Sequence, residues 1–290
     1  EKQIMELHFG KVAIIGVGLL GASLGMAIRN KKIADEVMGI GRNMSTLEKA
    51  LQKGAIDSFS TELFPSVYNA DFIILCTPVQ SAITILQSIA PNISPEKTII
   101  TDICSTKVEI CKKAQSLWQK DSPFIGSHPL AGSEKFGPEH AKIDFYENTI
   151  CLLEKGINTR AEVKKTVWNF WTLLGTKVIE VDMVEHDFFM AYTSHLPHII
   201  ASALAQVTGE TKAPNYFIGG GFRDTTRIAE SRPEIWKDII LTNQKNILSG
   251  IEDIQKKLDE FKLSLQKNDA NQMMDFFKHG SESRQRLFNK

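Results

Sequence analysis

The chain has 290 residues, 42% of them hydrophobic, and its 34 Lys+Arg balance its 34 Asp+Glu to a formal net charge of zero. That length suits about two domains, and nothing in the neutral balance suggests the basic excess on one face that nucleic-acid binding requires. No apolar run approaches the roughly 18 residues of a membrane-spanning helix and the N-terminus is charged, unlike a signal peptide, so a soluble, cytoplasmic protein with neither membrane nor nucleic acid as partner is expected.

In chain order, KVAII (11 to 15) reads as a buried strand and residues 19 to 30 as the helix behind a glycine turn. VMGIGR (37 to 42) is a second strand, followed by a helix from about Ser45, read as its N-cap. DFIILCTP (71 to 78) is a third strand, ending at Pro78, with a helix over 80 to 90. TIITDICS (98 to 105) is another, with a Lys/Glu-rich helix behind it. PFIGSHPLAG (123 to 132), TICLLE (149 to 154) and KVIEVD (177 to 182) continue the β elements, the last two separated by the helix AEVKKTVWNFWTLLG with Gly175 at its C′ position. Such alternation predicts an α/β, Rossmann-type doubly wound and mostly parallel sheet.

After Asp182 only helical patterns remain, broken by GGG (219 to 221) and Pro233. Near the C-terminus Leu248, Ile251, Ile254, Leu258 and Phe261 recur at steps of three and four, one apolar stripe. The expected organisation is a dinucleotide-binding domain over 1–182 and an all-helical domain over 183–290. Cys76, Cys104, Cys111 and Cys151 lie far apart, in no CxxC spacing and with no companion set of metal ligands, so reduced, mostly buried thiols and no metal are expected.

Gly16-Val17-Gly18-Leu19-Leu20-Gly21 fits GxGxxG directly after a strand and at the start of a helix. The first glycine makes the tight turn, the second lets backbone approach a pyrophosphate, and the third lets helix and strand pack closely. The helix N-terminus at Leu19 and Leu20 supplies free N–H groups to the phosphates. Gly16, Gly18, Leu19, Leu20 and Gly21 are therefore the candidate cofactor-binding turn. At the end of the second strand, where an acidic residue usually bonds the adenosine ribose, Gly41 is followed by Arg42. Either NAD or NADP fits the turn; the missing carboxylate and the adjacent guanidinium favour NADP.

Two further stretches look chemical. GSHPLAGSE (126 to 134) puts His128 at a strand end, where an α/β sheet keeps its site. SHLPH (194 to 198) puts Ser194 and His198 on one helical face, with Asp187 on the same stripe seven residues earlier.

Together with GVGLLGASLG, TDICSTK, EHD and GGGFRDTTRIAESRPEIW, these stretches make the chain resemble the prephenate/arogenate dehydrogenase family, in order from residue 16 to residue 236. The resemblance implies a dimeric, all-helical second domain and oxidative decarboxylation of prephenate, or alternatively arogenate, by a nicotinamide dinucleotide in tyrosine biosynthesis. His128 matches the family's proton-accepting histidine, a residue type suited to general-base work near neutrality, and Ser105 the serine that orients it. Ser194, His198 and Glu134 match the substrate pocket, and Arg227 the arginine that holds a substrate carboxylate, for which a rigid guanidinium fork is well shaped. Thr77 and Pro78 would lie beside the cofactor. No segment resembling a regulatory ACT domain follows residue 265 and no chorismate mutase region precedes the turn, so feedback through such a domain is not expected. Two competing classes remain: another two-domain reductase, such as a β-hydroxyacid dehydrogenase or pyrroline-5-carboxylate reductase, and a non-catalytic cofactor sensor. The first lacks SHLPH and GGGFRDTTRIA; the second has no use for His128, Ser105 and Arg227.

Overall fold

The apolar run after Lys11 forms β1 (Phe9–Ile15), and the helix behind the glycines is α1 (Leu19–Asn30), in a computed structural model that describes residues 7–133 and 135–288. There follow β2 (Ala34–Ile40), α2 (Met44–Gln52), β3 (Ser58–Ser60), β4 (Phe72–Leu75), α3 (Val79–Ile89), β5 (Ile99–Asp102), α4 (Val108–Leu117) and β6 (Phe124–Ile125). These six strands pair in parallel in the order β3-β2-β1-β4-β5-β6. The strand order reverses between β1 and β4, where an open α/β sheet forms its binding crevice at the carboxyl ends. Val12, Ile14, Phe72 and Ile74 are buried on one face and Ala13, Ile15, Ile73 and Leu75 on the other. Burial on both faces is why these strands read as unbroken apolar runs.

Two local details differ from the sequence reading. Asn43, not Ser45, caps α2: its Oδ1 accepts the Thr46 N–H at 3.0 Å. The Ser-Phe-Ser strand β3 has no apolar run to announce it and is recruited through its backbone pairing with β2.

A larger difference follows β6. Instead of continuing one parallel sheet, the chain enters a second sheet of β7 (Ser127–Pro129), β8 (Ile150–Glu154) and β9 (Lys177–Val181), in the order β7-β8-β9. β7 runs antiparallel to β8, and β8 parallel to β9. The cause is visible at the junction. The Ser127 N–H, which a continuing strand would give to a neighbouring carbonyl, donates instead to Asp102 Oδ1 at 3.1 Å. Gly126 passes so close to α4 that a Cβ there would lie 2.8 Å from Cys111 Sγ. The helix α5 (Ala161–Leu173) connects β8 to β9 and ends at Gly175, whose φ of +87° is the left-handed C′ conformation expected of it.

Helices take over at once. Asp182 Oδ1 accepts the Val184 and Glu185 N–H groups at 2.8 and 3.2 Å and so starts α6 (Met183–Met190). A π-helical segment, Ala191–His195, leads into α7 (Leu196–Glu210). Pro197 has no N–H to give the preceding turn, and the wider π bonding lies just before it. α8 (Gly220–Thr226), α9 (Pro233–Thr242), α10 (Gln244–Gln266) and α11 (Ala270–Phe288) complete the helical C-terminal domain. Gly219 and Pro233 serve as helix starts, the first as N-cap and the second at the first turn. No helix among the described residues is long and apolar enough to cross a membrane.

Candidate active site

The glycine turn sits at the reversal point of the sheet. Gly16 has φ +100°, and a Cβ on it would stand 2.5 Å from the Cys76 carbonyl oxygen. A Cβ on Gly21 would stand 2.0 Å from the Gly16 oxygen, so α1 packs against the turn with no room for a side chain. Gly18 is different: nothing lies within 4 Å of its Cβ position, and no side chain caps α1 at that residue. Open space over bare backbone, with uncapped N–H groups at Leu19 and Leu20, fits a pyrophosphate. Across the crevice Thr77 follows β4, and its Oγ1 is buried without a partner among the described residues. That orphaned hydroxyl beside the turn is a second feature suited to a bound dinucleotide. Pro78 caps α3 next to it. Arg42 lies exposed just past β2 and makes no ion pair among the described residues.

His128 lies on β7 of the small sheet, one residue past the junction rather than at the end of a main-sheet strand. Its neighbour Ser127 holds it to the carboxyl end of β5. Ser127 Oγ donates to the Asp102 carbonyl, lies 3.1 Å from Thr101 Oγ1, and accepts the Trp171 Nε1–H at 3.1 Å. The buried Lys107 ammonium donates to the Ser127 carbonyl at 2.8 Å and pairs with the Asp102 carboxylate. Burial alone would lower the Lys107 pKa, but Asp102, with the Cys104 and Cys111 sulfurs, outweighs it and the net shift is upward. This ammonium therefore stays charged in the interior.

Only 7% of the His128 surface is exposed. Burial drives its pKa well below the usual histidine value, and His186, Lys107 and His195 push in the same direction. The imidazole is therefore neutral near pH 7, the form a proton acceptor needs. His128 Nδ1 lies 2.9 Å from His186 Nε2, and His186 Nδ1 lies 2.8 Å from Asp187 Oδ1. Asp187 also accepts the backbone N–H groups of Lys107 (2.7 Å) and Val108 (2.9 Å), capping α4 from the helical domain. Ser105 is half-buried just beyond β5 and, among the described residues, makes no hydrogen bond to the His128 ring.

The sequence pattern placed Asp187 on one stripe with Ser194 and His198, and the structure separates them. The i→i+5 bonding over Ala191–His195 breaks the 3.6-residue phase between them. Asp187 turns inward to α4, whereas Ser194 and His198 stay half-buried. Those two do meet: His198 Nδ1 lies 2.9 Å from the Ser194 carbonyl oxygen. The His198 ring also lies against Trp236, with centroids 3.9 Å apart, and feels the charge of Arg227. Arg227 itself is exposed at the end of α8. Glu134 lies outside the described residues.

The residues that sequence reasoning left without a role are His186, Asp102, Lys107, His195, Asn243 and Trp236. His186 and Asp187 are adjacent in EHD, so the pair was visible as letters. Their contact with His128, 58 residues away, was not. All four cysteines are free thiols, three of them buried, as expected.

A parallel sheet in this order, a bare glycine turn at its reversal point and a neutral buried histidine beyond β5 define an oxidoreductase that uses a nicotinamide dinucleotide. Family models confirm and narrow that class: the nucleotide-binding domain of prephenate dehydrogenase matches residues 24–180 and its dimerization domain residues 182–279. The prephenate dehydrogenase of Lactococcus lactis is 34% identical over 282 residues, covering 96% of this chain and 77% of the relative. Among solved structures, prephenate dehydrogenase from A. aeolicus in complex with hydroxyphenyl propionate and NAD+ is similar, with a TM-score of 0.88 and 29% identity over 96% of this chain and 98% of that one. An arogenate dehydrogenase from Synechocystis gives a TM-score of 0.79 and 28% identity over 96% and 99% of the two chains. The chain belongs to the prephenate dehydrogenase family.

Proposed function

We propose that this chain converts prephenate to 4-hydroxyphenylpyruvate, the dehydrogenase step towards L-tyrosine, in the cytoplasm and with His128 as general base. The observation that carries this reading is a buried, neutral imidazole whose Nδ1 is engaged by His186 while its Nε2 has no hydrogen bond among the described residues. The Gly16-to-Gly21 turn, Thr77 and Pro78 hold the dinucleotide, which when bound supplies the hydride acceptor. His128 takes the proton of the ring hydroxyl as hydride leaves that carbon. The ring carboxylate then departs as CO₂, and its bonding pair completes the aromatic ring. No step requires a metal. Ser105 acts from the loop after β5 through the substrate hydroxyl, because the inward nitrogen of His128 already has a partner. Arg227 pairs with a substrate carboxylate, with Ser194 and His198 lining the same end and Glu134 assigned beside them.

Arg42, exposed after Gly41, reads the 2′-phosphate and favours NADP over NAD. The division at residue 182 separates the cofactor half from the substrate half. Two such chains associate through the helical domain. In support, Leu248 and Leu258 of the α10 stripe are exposed, as are Met274 and Phe277 on α11, where no residue is buried. Arogenate is the second reading, favoured by the likeness to the Synechocystis enzyme. NAD(P)H absorbance with prephenate, with arogenate and with neither separates the two substrates. His128→Asn tests the base: kcat should fall by about 10² to 10⁴ while dinucleotide binding holds. A variant retaining most of its kcat would remove His128 from that role.

A further inference from the structure

A histidine base must present a lone pair, and the hydrogen bonds behind His128 decide which nitrogen has it. Asp187 Oδ1 accepts the Lys107 N–H at 2.7 Å and Oδ2 the Val108 N–H at 2.9 Å. With both oxygens committed as acceptors, the carboxylate can only accept from His186, so the 2.8 Å contact at His186 Nδ1 places the His186 proton there. A neutral imidazole protonated on Nδ1 has its lone pair on Nε2. The 2.9 Å contact from His186 Nε2 to His128 Nδ1 must then run with His128 Nδ1–H as donor. His128 Nε2 is left with the lone pair. The reverse assignment would need a proton on a carboxylate that already faces two backbone N–H donors.

We propose that His186 and Asp187 are positioning residues that hold His128 in the Nδ1–H tautomer, so that Nε2 is the nitrogen that accepts the substrate proton. This rests on the reading of His128 as the base. The proton count closes within the site. On accepting the hydroxyl proton, His128 carries hydrogens on both nitrogens, its Nδ1–H still donates to His186, and no further proton has to leave. The charge formed on His128 then faces the Asp187 carboxylate through the His186 ring.

The arrangement also ties base competence to domain docking. His128 stands on the small sheet, whereas His186 and Asp187 arrive on α6, at the start of the helical domain. Asp187 is fixed by the N-terminus of α4, so the contact that caps α4 is the one that orients the base. Asn243, at the start of α10, adds a second anchor by donating its side-chain N–H to the Asp187 carbonyl at 2.6 Å.

The test uses the dinucleotide-bound enzyme, loaded with NADP and in parallel with NAD, with selectively ¹⁵N-labelled histidine, the His128 signals being assigned by their loss in His128→Asn. The wild-type spectrum should show a protonated Nδ1 and an unprotonated Nε2 at His128. His186→Leu should shift that tautomer and lower kcat by at least about tenfold, with KM for prephenate little changed. His186→Gln, whose amide oxygen reaches the place of Nε2 and accepts from Nδ1–H, should restore the tautomer and most of kcat. A wild-type His128 protonated on Nε2 overturns the assignment even if a variant does not fold. Wild-type kcat in His186→Leu, or equal damage in the Leu and Gln variants, overturns it as well. If His128→Asn loses kcat and His186→Leu does not, the base stands and only its positioning falls. Retention of kcat in His128→Asn removes the base reading itself.

Discussion

Acid should unfold this protein earlier than its carboxylates alone would dictate, and His195 supplies the magnitude. Its side chain is fully buried, with Nδ1 3.2 Å from the Asn243 side-chain nitrogen and Nε2 lacking a partner among the described residues. Burial lowers its pKa to about 4, opposed by Asp187 and reinforced by His186 and His198. The unfolded chain binds the same proton at about pH 6.5. The sign follows directly. The stabilising contribution of the neutral ring is complete above pH 6.5 and is lost as the pH falls from there towards 4, because the unfolded state takes up the proton first. One pKa unit corresponds to about 1.4 kcal/mol, so His195 alone removes about 2 kcal/mol between pH 6.5 and 5. His128 and His186, displaced in the same direction by burial, add to that loss. Unfolded Asp and Glu titrate near pH 4, which leaves the window above pH 5 to the histidines. A total stability of about 5 to 15 kcal/mol makes such a loss easy to see. Urea unfolding followed by tryptophan fluorescence at fixed protein concentration, from pH 8 to 5, measures it. His195→Asn, whose amide oxygen can stand in for Nδ1, should make the slope shallower by one proton's share. A wild-type stability that stays flat between pH 7 and 5, or a slope that His195→Asn leaves unchanged, refutes the reasoning.

Three further outcomes are expected. Arg42→Ala should raise KM for NADP more than for NAD; equal changes would mean that the guanidinium does not read the 2′-phosphate. Arg227→Ala should raise KM for prephenate by roughly 30-fold, equivalent to about 2 kcal/mol, the lower end for a charge pair that bound substrate shields from water. Arg227→Lys should recover only part of this, since an ammonium lacks the fork, and an unchanged KM in the alanine variant ends the assignment. Sedimentation at nanomolar concentration should show a dimer, whereas a single species near the 32.4 kDa chain mass would exclude it.

The parts of the fold that could be read in advance are those whose causes are local. β1, β4 and β5 are apolar runs because both faces of the sheet are covered, and the turn at Gly16 announces itself because no side chain fits beside the Cys76 carbonyl. Gly175 could be placed at a helix end for a similarly local reason, its left-handed φ. The departure at Ser127 was not readable, since it depends on an Asp102 side chain that captures a strand N–H from 25 residues away. At the site, the contact between Ser194 and His198 was legible from their spacing of four, and the role expected of His128 is a matter for the variants above. The helical pattern puts Asp187 on the stripe of that pair, but a π segment breaks the phase and nothing in AYTSH signals it on its face. His186, Lys107 and Asn243 reach His128, Ser127 and Asp187 from 58, 20 and 56 residues away, separations that spacing cannot reveal.

The buried Lys107–Asp102 pair explains how His128 is held at a junction of three substructures. A buried ion pair gives little net stability, because desolvation offsets most of its attraction, but breaking one side of it is costly, about 3 to 5 kcal/mol. Here each partner also holds backbone. Asp102 accepts the N–H of Ser127 at 3.1 Å and of Cys104 at 2.9 Å, and Lys107 donates to the Ser127 carbonyl at 2.8 Å. Ser127, the residue before His128, is thus gripped on its donor and its acceptor by one charge pair. The Lys107 backbone N–H meanwhile goes to Asp187, the far end of the His186–His128 chain. A single residue therefore links the strand that carries His128 to the helix that orients its ring. The placement of His128 is over-determined from both sides, and a shift of either substructure is opposed by a charge that would be left buried and alone.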